Sequence, residues 1–368
     1  MKHKTVLQQM PFAAIIGVLV MMVFFLPMTP DELNRLEHAQ SMAKGHPYDF
    51  FWPPLSVYVI HINPFQDWGP YAVRLFNLAC TLPVFFVLRR QLCESLNWVP
   101  VLLVLPYMAF AVSNASQQGL MVCLLGVLLL QIDLPMPVKA VLTALCFALN
   151  PTLIVVMPLA ILLAWRVLPN RRDFLLACVV AYVLLLPLVY YIYTSTGKFL
   201  PALSANGGSN LFLGNNPSDM SHRGVGDMPT VIAQYGLPVD AKPIQVVWHF
   251  FMDDPVAFFA NGIKKLVLFF SPTDYFRSGL GAGKEGVLFA YIGFSQLVMY
   301  AVFWFSWRRQ ASPSMYLALS LMLAAWLVYS VFFVKVRFRI PFDCLLLLSV
   351  LPHLRFNELW ATHKPTTT

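Results

Sequence analysis

Charge is what this chain has least of. Asp, Glu, Lys and Arg make up 11% of its 368 residues, against about a quarter in an ordinary globular protein. That excludes a soluble globular domain, whose water-facing surface needs more charge than is present. Metal-type cysteine spacing is also missing. The six cysteines, Cys80, Cys93, Cys123, Cys146, Cys178 and Cys344, lie in or beside apolar runs. They read as small core hydrophobes with no expected disulfides. No glycine-rich phosphate loop suggests direct use of a nucleotide sugar.

Apolar residues fill the space left by charge, at 58% of the chain and a mean hydropathy of +0.67. Long apolar runs recur from end to end, so lipid is the expected solvent. The reading is an all-α polytopic membrane protein of about ten spans, one unit over 1–368 with no separate soluble domain. The expected spans are 11–28, 71–88, 98–113, 118–132, 137–150, 152–165, 174–194, 286–307, 314–334 and 340–354. The first is too long for a signal-peptide core and reads as a retained span. Several are shorter than the roughly 20 helical residues that a bilayer core requires, which suits helices buried against other helices. The break at Asn150–Pro151 leaves open whether 137–165 is one span or two.

Ten spans put both termini on one face. Twelve of the twenty-five Lys and Arg residues fall there, with only Glu94, Asp133, Asp173 and Glu358 among the acids, so that face carries the whole +8. Setting aside the long loop leaves six cations opposite, and short loops set orientation. The termini are therefore expected in the cytoplasm. Membrane orientation accounts for the positive excess, and no nucleic acid is expected as a partner. Two segments on the other face, 29–70 and 195–285, are too long to be mere connectors, and long ordered loops on one face commonly carry function.

The first of these opens with Thr29–Pro30–Asp31–Glu32. Locally this is a helix start: Thr29 as N-cap, Pro30 at the first position, Glu32 completing a capping box. Its other reading is chemical. Two carboxylates at a membrane surface, with Arg35 and His38 following on the same helical face, can take a proton from an acceptor hydroxyl or amine. Leu33 and Leu36 are expected to point toward lipid. His46 to Leu55 is rich in proline and aromatics, which forbid a regular helix and favour the interface. Arg74, just inside the second span, either snorkels or faces inward and requires an anion.

The second loop carries Asn206–Gly207–Gly208–Ser209 and Gly214–Asn215–Asn216–Pro217, expected as tight turns whose Asn side chains can bond sugar hydroxyls. Residues 243–268 have helical apolar spacing and are expected to lie on the membrane surface. Within them Asp253–Asp254 reads as a helix end or turn and not as a metal site, and His222 and His249 have no partner spacing either. Lys264–Lys265 read as headgroup anchors. Lys335, Arg337 and Arg339 enter the last span. In an extended stretch, alternate residues point the same way, so Arg337 and Arg339 would share one anion, and guanidinium forks suit phosphate.

Asp31–Glu32 after the first span, Pro53–Pro54–Leu55, Arg74, Asn210–Leu211–Phe212–Leu213–Gly214–Asn215–Asn216–Pro217 and Arg337–Phe338–Arg339–Ile340–Pro341 occur in that order. Together they resemble the GT-C glycosyltransferase superfamily, and within it the group of protein O-mannosyltransferases and lipid A aminoarabinose transferases. The resemblance spans most of the chain as short motifs and implies a superfamily, not a substrate. It implies a GT-C-like bundle whose two periplasmic loops bear juxtamembrane helices, in a bacterial inner membrane. The partners it implies are a polyprenyl-phosphate sugar donor, an envelope acceptor and membrane lipid. It assigns acceptor activation to Asp31, with Glu32 beside it. Two positions depart from the group: Arg35 stands where an aromatic is common, and Trp52 where the aminoarabinose enzymes have lysine before Pro-Pro.

The expectation is a glycosyltransferase with Asp31 and Glu32 catalytic and Arg74, Lys335, Arg337 and Arg339 at the donor phosphate. Arg35, His38, Trp52, Asn210, Asn215 and Asn216 are expected on the substrate. No cofactor is called for, and a divalent metal is left open. The rival reading is a transporter or flippase for a lipid-linked or anionic solute, against which stand the one-sided loops and the lack of an inverted repeat. A third is an inactive scaffold in envelope assembly.

Overall fold

Every regular element among the described residues is helical. The computed structural model describes residues 28, 30–64, 66–95, 118–216, 228–271, 282–332 and 336–353, with positions 17, 20, 23 and 24. The expected spans 98–113 and almost all of 11–28 lie outside these residues. The first outer segment forms α1 (Pro30–Ala43) and α2 (Pro54–His61), joined by an irregular stretch with Pro54 at the first position of α2. There follow α3 (Pro70–Ser95), α4 (Gln118–Leu130), α5 (Met136–Leu149), α6 (Leu153–Leu163) and α7 (Arg171–Thr196). The second outer segment contributes α8 (Asn206–Asn215), α9 (Met228–Gln234), α10 (Pro243–Asp253) and α11 (Pro255–Leu268). The chain closes with α12 (Ala282–Arg309), α13 (Pro313–Val331) and α14 (Val336–Val350). Short 3-10 turns occupy Gln66–Trp68 and Leu351–His353.

Two of the described helices, α7 and α13, are long and apolar enough to cross a membrane. Helices α4, α5 and α6 are apolar but only 13, 14 and 11 residues long.

Packing partners fix the direction of each helix. Lys139, near the start of α5, sits 4.3 Å over the ring of Phe174, near the start of α7, so α5 and α7 run the same way. Between them α6 runs back. It is a separate antiparallel helix because Asn150 is extended and Pro151 cannot continue the α5 ladder. Asn150 Nδ2 donates to Tyr329 Oη at 3.2 Å, which brings the end of α13 to the end of α5. Tyr329 stacks on Phe338 at 4.9 Å, so α14 starts where α13 ends and runs the opposite way. Helix α12 lies parallel to α14, with Gln296 meeting Arg339 and Tyr300 meeting Asp343. The directions of α5, α6, α7, α12, α13 and α14 therefore alternate in chain order. The outer elements collect at one end: Ala205 N–H donates to the Phe50 carbonyl at 2.8 Å, and Tyr191 meets Phe50 ring to ring.

Small residues let the helices approach closely. Ala160, Ala181, Ala318, Ala324 and Ala325 are fully or almost fully buried among Leu153, Val156, Met315 and Leu345. Cys123, Cys146, Cys178 and Cys344 are buried free thiols and Cys80 is a half-buried one.

Two local expectations fail, at 206–215 and at 337–339. The glycine–asparagine turns at 206–215 are instead α8. Its Gly208 lies against Pro243, where a Cβ would come within 3.1 Å of the ring; Phe212, Val246 and Phe250 then close a small core between α8 and α10. The stretch 243–268 is helical, as expected, and parts into two helices at the expected helix end, where Asp254 caps α11 by accepting from Ala257 N–H at 2.9 Å. Residues 337–339 are the first turn of α14 and not extended chain. Positions 337 and 339 therefore stand about 200° apart around a helix and do not share a side.

Candidate functional site

The first turn of α1 carries Asp31 and Glu32. The Glu32 carboxylate accepts from Arg74 Nε at 2.9 Å and Nη2 at 2.8 Å, and both side chains are buried; Thr29, its expected capping-box partner, lies outside the described residues. Arg74 Nη1 also donates to the Val23 carbonyl at 3.0 Å. Arg74 thus faces inward, and the anion it meets is the chain's own carboxylate. A guanidinium and a carboxylate removed from water need such paired, fork-to-fork bonding. The consequence for α1 is positional: its first turn is locked to the first turns of α3.

Asp31 occupies that locked turn and is half-buried, and its carbonyl accepts a 3.5 Å bond from Arg35 Nη1. Arg35, itself largely buried, lies 4.0 Å over the Trp52 ring. Trp52 Nε1 donates to Asn34 Oδ1 at 2.7 Å. Arg35 and Trp52 are therefore in direct contact, cation over ring. Tyr48 Oη donates to the Trp52 carbonyl at 2.6 Å, and burial, followed by the charge of Asp49, pushes the Tyr48 phenol up. His38 Nδ1 is 3.8 Å from Asp49 Oδ1. Leu33 is exposed, whereas Leu36 packs on a cluster of Tyr48, Phe50, Val57, Val189 and Ile192 and does not point away from the protein.

The late cations divide. Lys335 and the side chain of Arg337 lie outside the description. Arg339 is fully buried and donates to Asp343 Oδ2 at 2.9 Å, Gln296 Oε1 at 3.0 Å and the Phe269 carbonyl at 2.7 Å. A 3.3 Å bond to the Ser271 carbonyl completes this set. Arg339 is a tie between α14, α12 and the end of α11, with a carboxylate already against its fork.

The asparagines of the second segment also divide. Asn210 is half-buried on α8, and Asn216, which ends α8, is buried. Asn215 is buried and donates to the carbonyls of Leu211 and Val331 at 2.8 and 2.9 Å. Its Oδ1 accepts from Lys265 Nζ at 2.9 Å. Lys265 is no headgroup anchor: it is buried, and burial pulls its ammonium down to about 8.

No family model, no curated protein and no solved structure matches this chain. Sequence reading missed Asp343, Gln296, Tyr300 and Lys265. Asp343 was legible as an acid four residues after Arg339, one helical turn away, but only to a reader who placed both in one helix. Lys265 carried no signal, because exposed and buried lysines look alike in sequence.

Proposed function

We propose that this chain is a membrane glycosyltransferase. It crosses a bacterial inner membrane about ten times, keeps both termini in the cytoplasm and moves a sugar from a polyprenyl-phosphate donor to an envelope acceptor at the outer face. The observation that carries this reading is the buried Arg74–Glu32 pair, which holds the turn bearing Asp31 at a set place against α3. A general base works only from a fixed position near the proton it takes. The membrane part draws support from the alternating helix directions and from the apolar residues that face outward. On α7 these include Val179, Val183 and Leu184. On α10 and α11 a ridge of Trp248, Met252, Val256, Phe259, Ile263 and Val267 is exposed, the pattern of helices lying in a headgroup layer.

The roles follow from the geometry and from the resemblance. Asp31 takes the proton of the acceptor hydroxyl as its oxygen attacks the anomeric carbon. The bond from that carbon to the phosphate oxygen breaks, polyprenyl phosphate leaves, and the anomeric centre inverts. Glu32 and Arg339 are positioning groups. Arg74, neutralised by Glu32, holds α1 in place and leaves the phosphate to other cations. Arg337 and Lys335 are the direct phosphate ligands. Arg35, Trp52 and His38 are assigned to the acceptor, and Asn210 and Asn216 to the substrate on the resemblance alone.

The test is release of polyprenyl phosphate by purified protein from undecaprenyl-phosphate carrying mannose, glucose or aminoarabinose. Asp31→Asn is expected to cut transfer by about a hundredfold or more while melting at the wild-type temperature. Full activity in that variant removes the proposed base, and no release from any of the three donors removes the transferase reading in favour of transport or scaffolding.

A further inference from the structure

Helix α11 is held to the bundle from two sides by side chains that the function above leaves unexplained. On one side, Lys265 Nζ donates to Asn215 Oδ1 at 2.9 Å and to the Val331 carbonyl at 3.5 Å. Val331 is the last residue of α13, so a buried ammonium stands at the negative end of that helix. Asn215 bonds the same carbonyl, which draws α8, α11 and α13 to one point. One residue on, the Leu266 carbonyl accepts from Trp326 Nε1 at 2.8 Å. On the other side, Arg339 of α14 donates to the carbonyls of Phe269 and Ser271, just past the end of α11.

These bonds alternate along 265–271, first to α13 and then to α14. A buried lysine whose hydrogen bonds go to an amide oxygen and a helix-end carbonyl is costly to keep. A methionine would pack as well at lower cost, so register is the property that such a lysine supplies and an apolar side chain does not.

We propose that Lys265 and Asn215 are positioning residues that lock α11 in register against the end of α13 and the first turn of α14, and that this lock sets the donor side of the site. The inference rests on the transferase reading, since Arg337 stands in that first turn of α14. The lock itself is read independently of any activity.

The experiment has two arms on full-length protein in lipid nanodiscs. In the first, hydrogen exchange at fixed neutral pH follows the amides of 262–271 and 326–332. Lys265→Met and Asn215→Ala are each expected to lose about tenfold in protection there, with α5 to α7 unchanged. Lys265→Gln, which keeps an N–H donor but is one bond shorter, is expected to lose less protection than Lys265→Met. In the second, with an undecaprenyl-phosphate sugar that the wild type turns over, Lys265→Met is expected to raise the donor KM about tenfold with kcat within twofold. Lys265→Gln is expected to stay within threefold of wild type in both.

Unchanged protection in both Lys265→Met and Asn215→Ala overturns the lock. Lost protection with an unchanged donor KM overturns its link to the donor. If Lys265→Gln keeps its protection yet loses donor affinity as fully as Lys265→Met, the charge acts on the donor directly and the positioning role is wrong. A wild type that uses no donor sinks the transferase reading and leaves the exchange arm to decide the lock alone.

Discussion

Glu32 and Arg74 stand 42 residues apart in the chain and close a buried two-bond ion pair, Nε to Oε1 at 2.9 Å and Nη2 to Oε2 at 2.8 Å. Both side chains are about 2% exposed. Removing one partner leaves the other as a buried, uncompensated charge, which costs about 3–5 kcal/mol. Arg74→Met and Glu32→Met are each expected to lower unfolding stability by that amount in detergent. The double variant should recover most of the loss, because two apolar side chains replace a pair whose desolvation was already costly. Two single losses that simply add would show that the two residues do not act on each other.

Lys265 gives a pH dependence whose sign runs against intuition. Burial lowers its ammonium from the ordinary lysine value to about 8, so the folded state holds this proton less well than the unfolded state does. The cost of burying the charge is complete below about pH 8 and relieved as pH climbs toward the ordinary lysine value. At roughly 1.4 kcal/mol per unit the full effect is on the order of 3 kcal/mol. The neighbouring elements carry these ionisable groups: none on α8, Tyr316 and Tyr329 on α13, His249 and Asp253 on α10, and Arg337, Arg339, Asp343 and Cys344 on α14, with Arg339 and Asp343 paired to each other, and Asp254 and Lys264 closest in sequence. Wild-type stability is therefore expected to rise relative to Lys265→Met as pH goes from 7.0 to about 9.5. Melting curves of the two proteins across that range check it, and a flat difference would mean that Lys265 titrates as an exposed lysine.

The alternation of helix directions makes a statement about topology. Chain ends near 133, 168 and 310 fall at one end of the bundle, and those near 150, 200 and 332 at the other. Reporter fusions test this in cells. Alkaline phosphatase fused after Lys198 is expected to be active, and fluorescent protein fused after Gln310 or at the C-terminus is expected to glow. The reverse pattern would invert the assignment and place Asp31 in the cytoplasm.

Period and composition showed the helical class and most helix positions, because apolar runs bounded by proline and charge survive any packing arrangement. The turns of 46–53 and the helix end at Asp254 were legible for the same reason: proline and a capping aspartate act locally. What stayed hidden was set at a distance. Gly208 looks like a turn glycine until Pro243 is seen against it. The bond from Arg74 of α3 to Glu32 spans 42 residues, and no local pattern announces it. The alternation of Arg337 and Arg339 suggests an extended stretch, yet α14 begins at Val336 and runs on through Pro341.

Arg35 and Trp52 supply the sharpest test of the acceptor side. The guanidinium lies 4.0 Å over the indole, a stack worth on the order of 1–2 kcal/mol when desolvated. The indole N–H is in turn held by Asn34 at 2.7 Å, so the aromatic plane is fixed by two neighbours. If the requirement is for a cation stacked on a ring and not for which position supplies which, exchanging the two residues is tolerated. Arg35→Phe leaves two aromatics and no cation, and Trp52→Lys leaves two cations and no ring; each is expected to cut sugar transfer at least tenfold. The exchanged double variant, Arg35→Phe with Trp52→Lys, restores one cation over one ring and is expected to recover to within a few fold of wild type. Transfer assays on the four proteins form a double-mutant cycle. If the double variant is as poor as the product of the single losses, the two side chains act separately and the exchanged pair is a coincidence of packing.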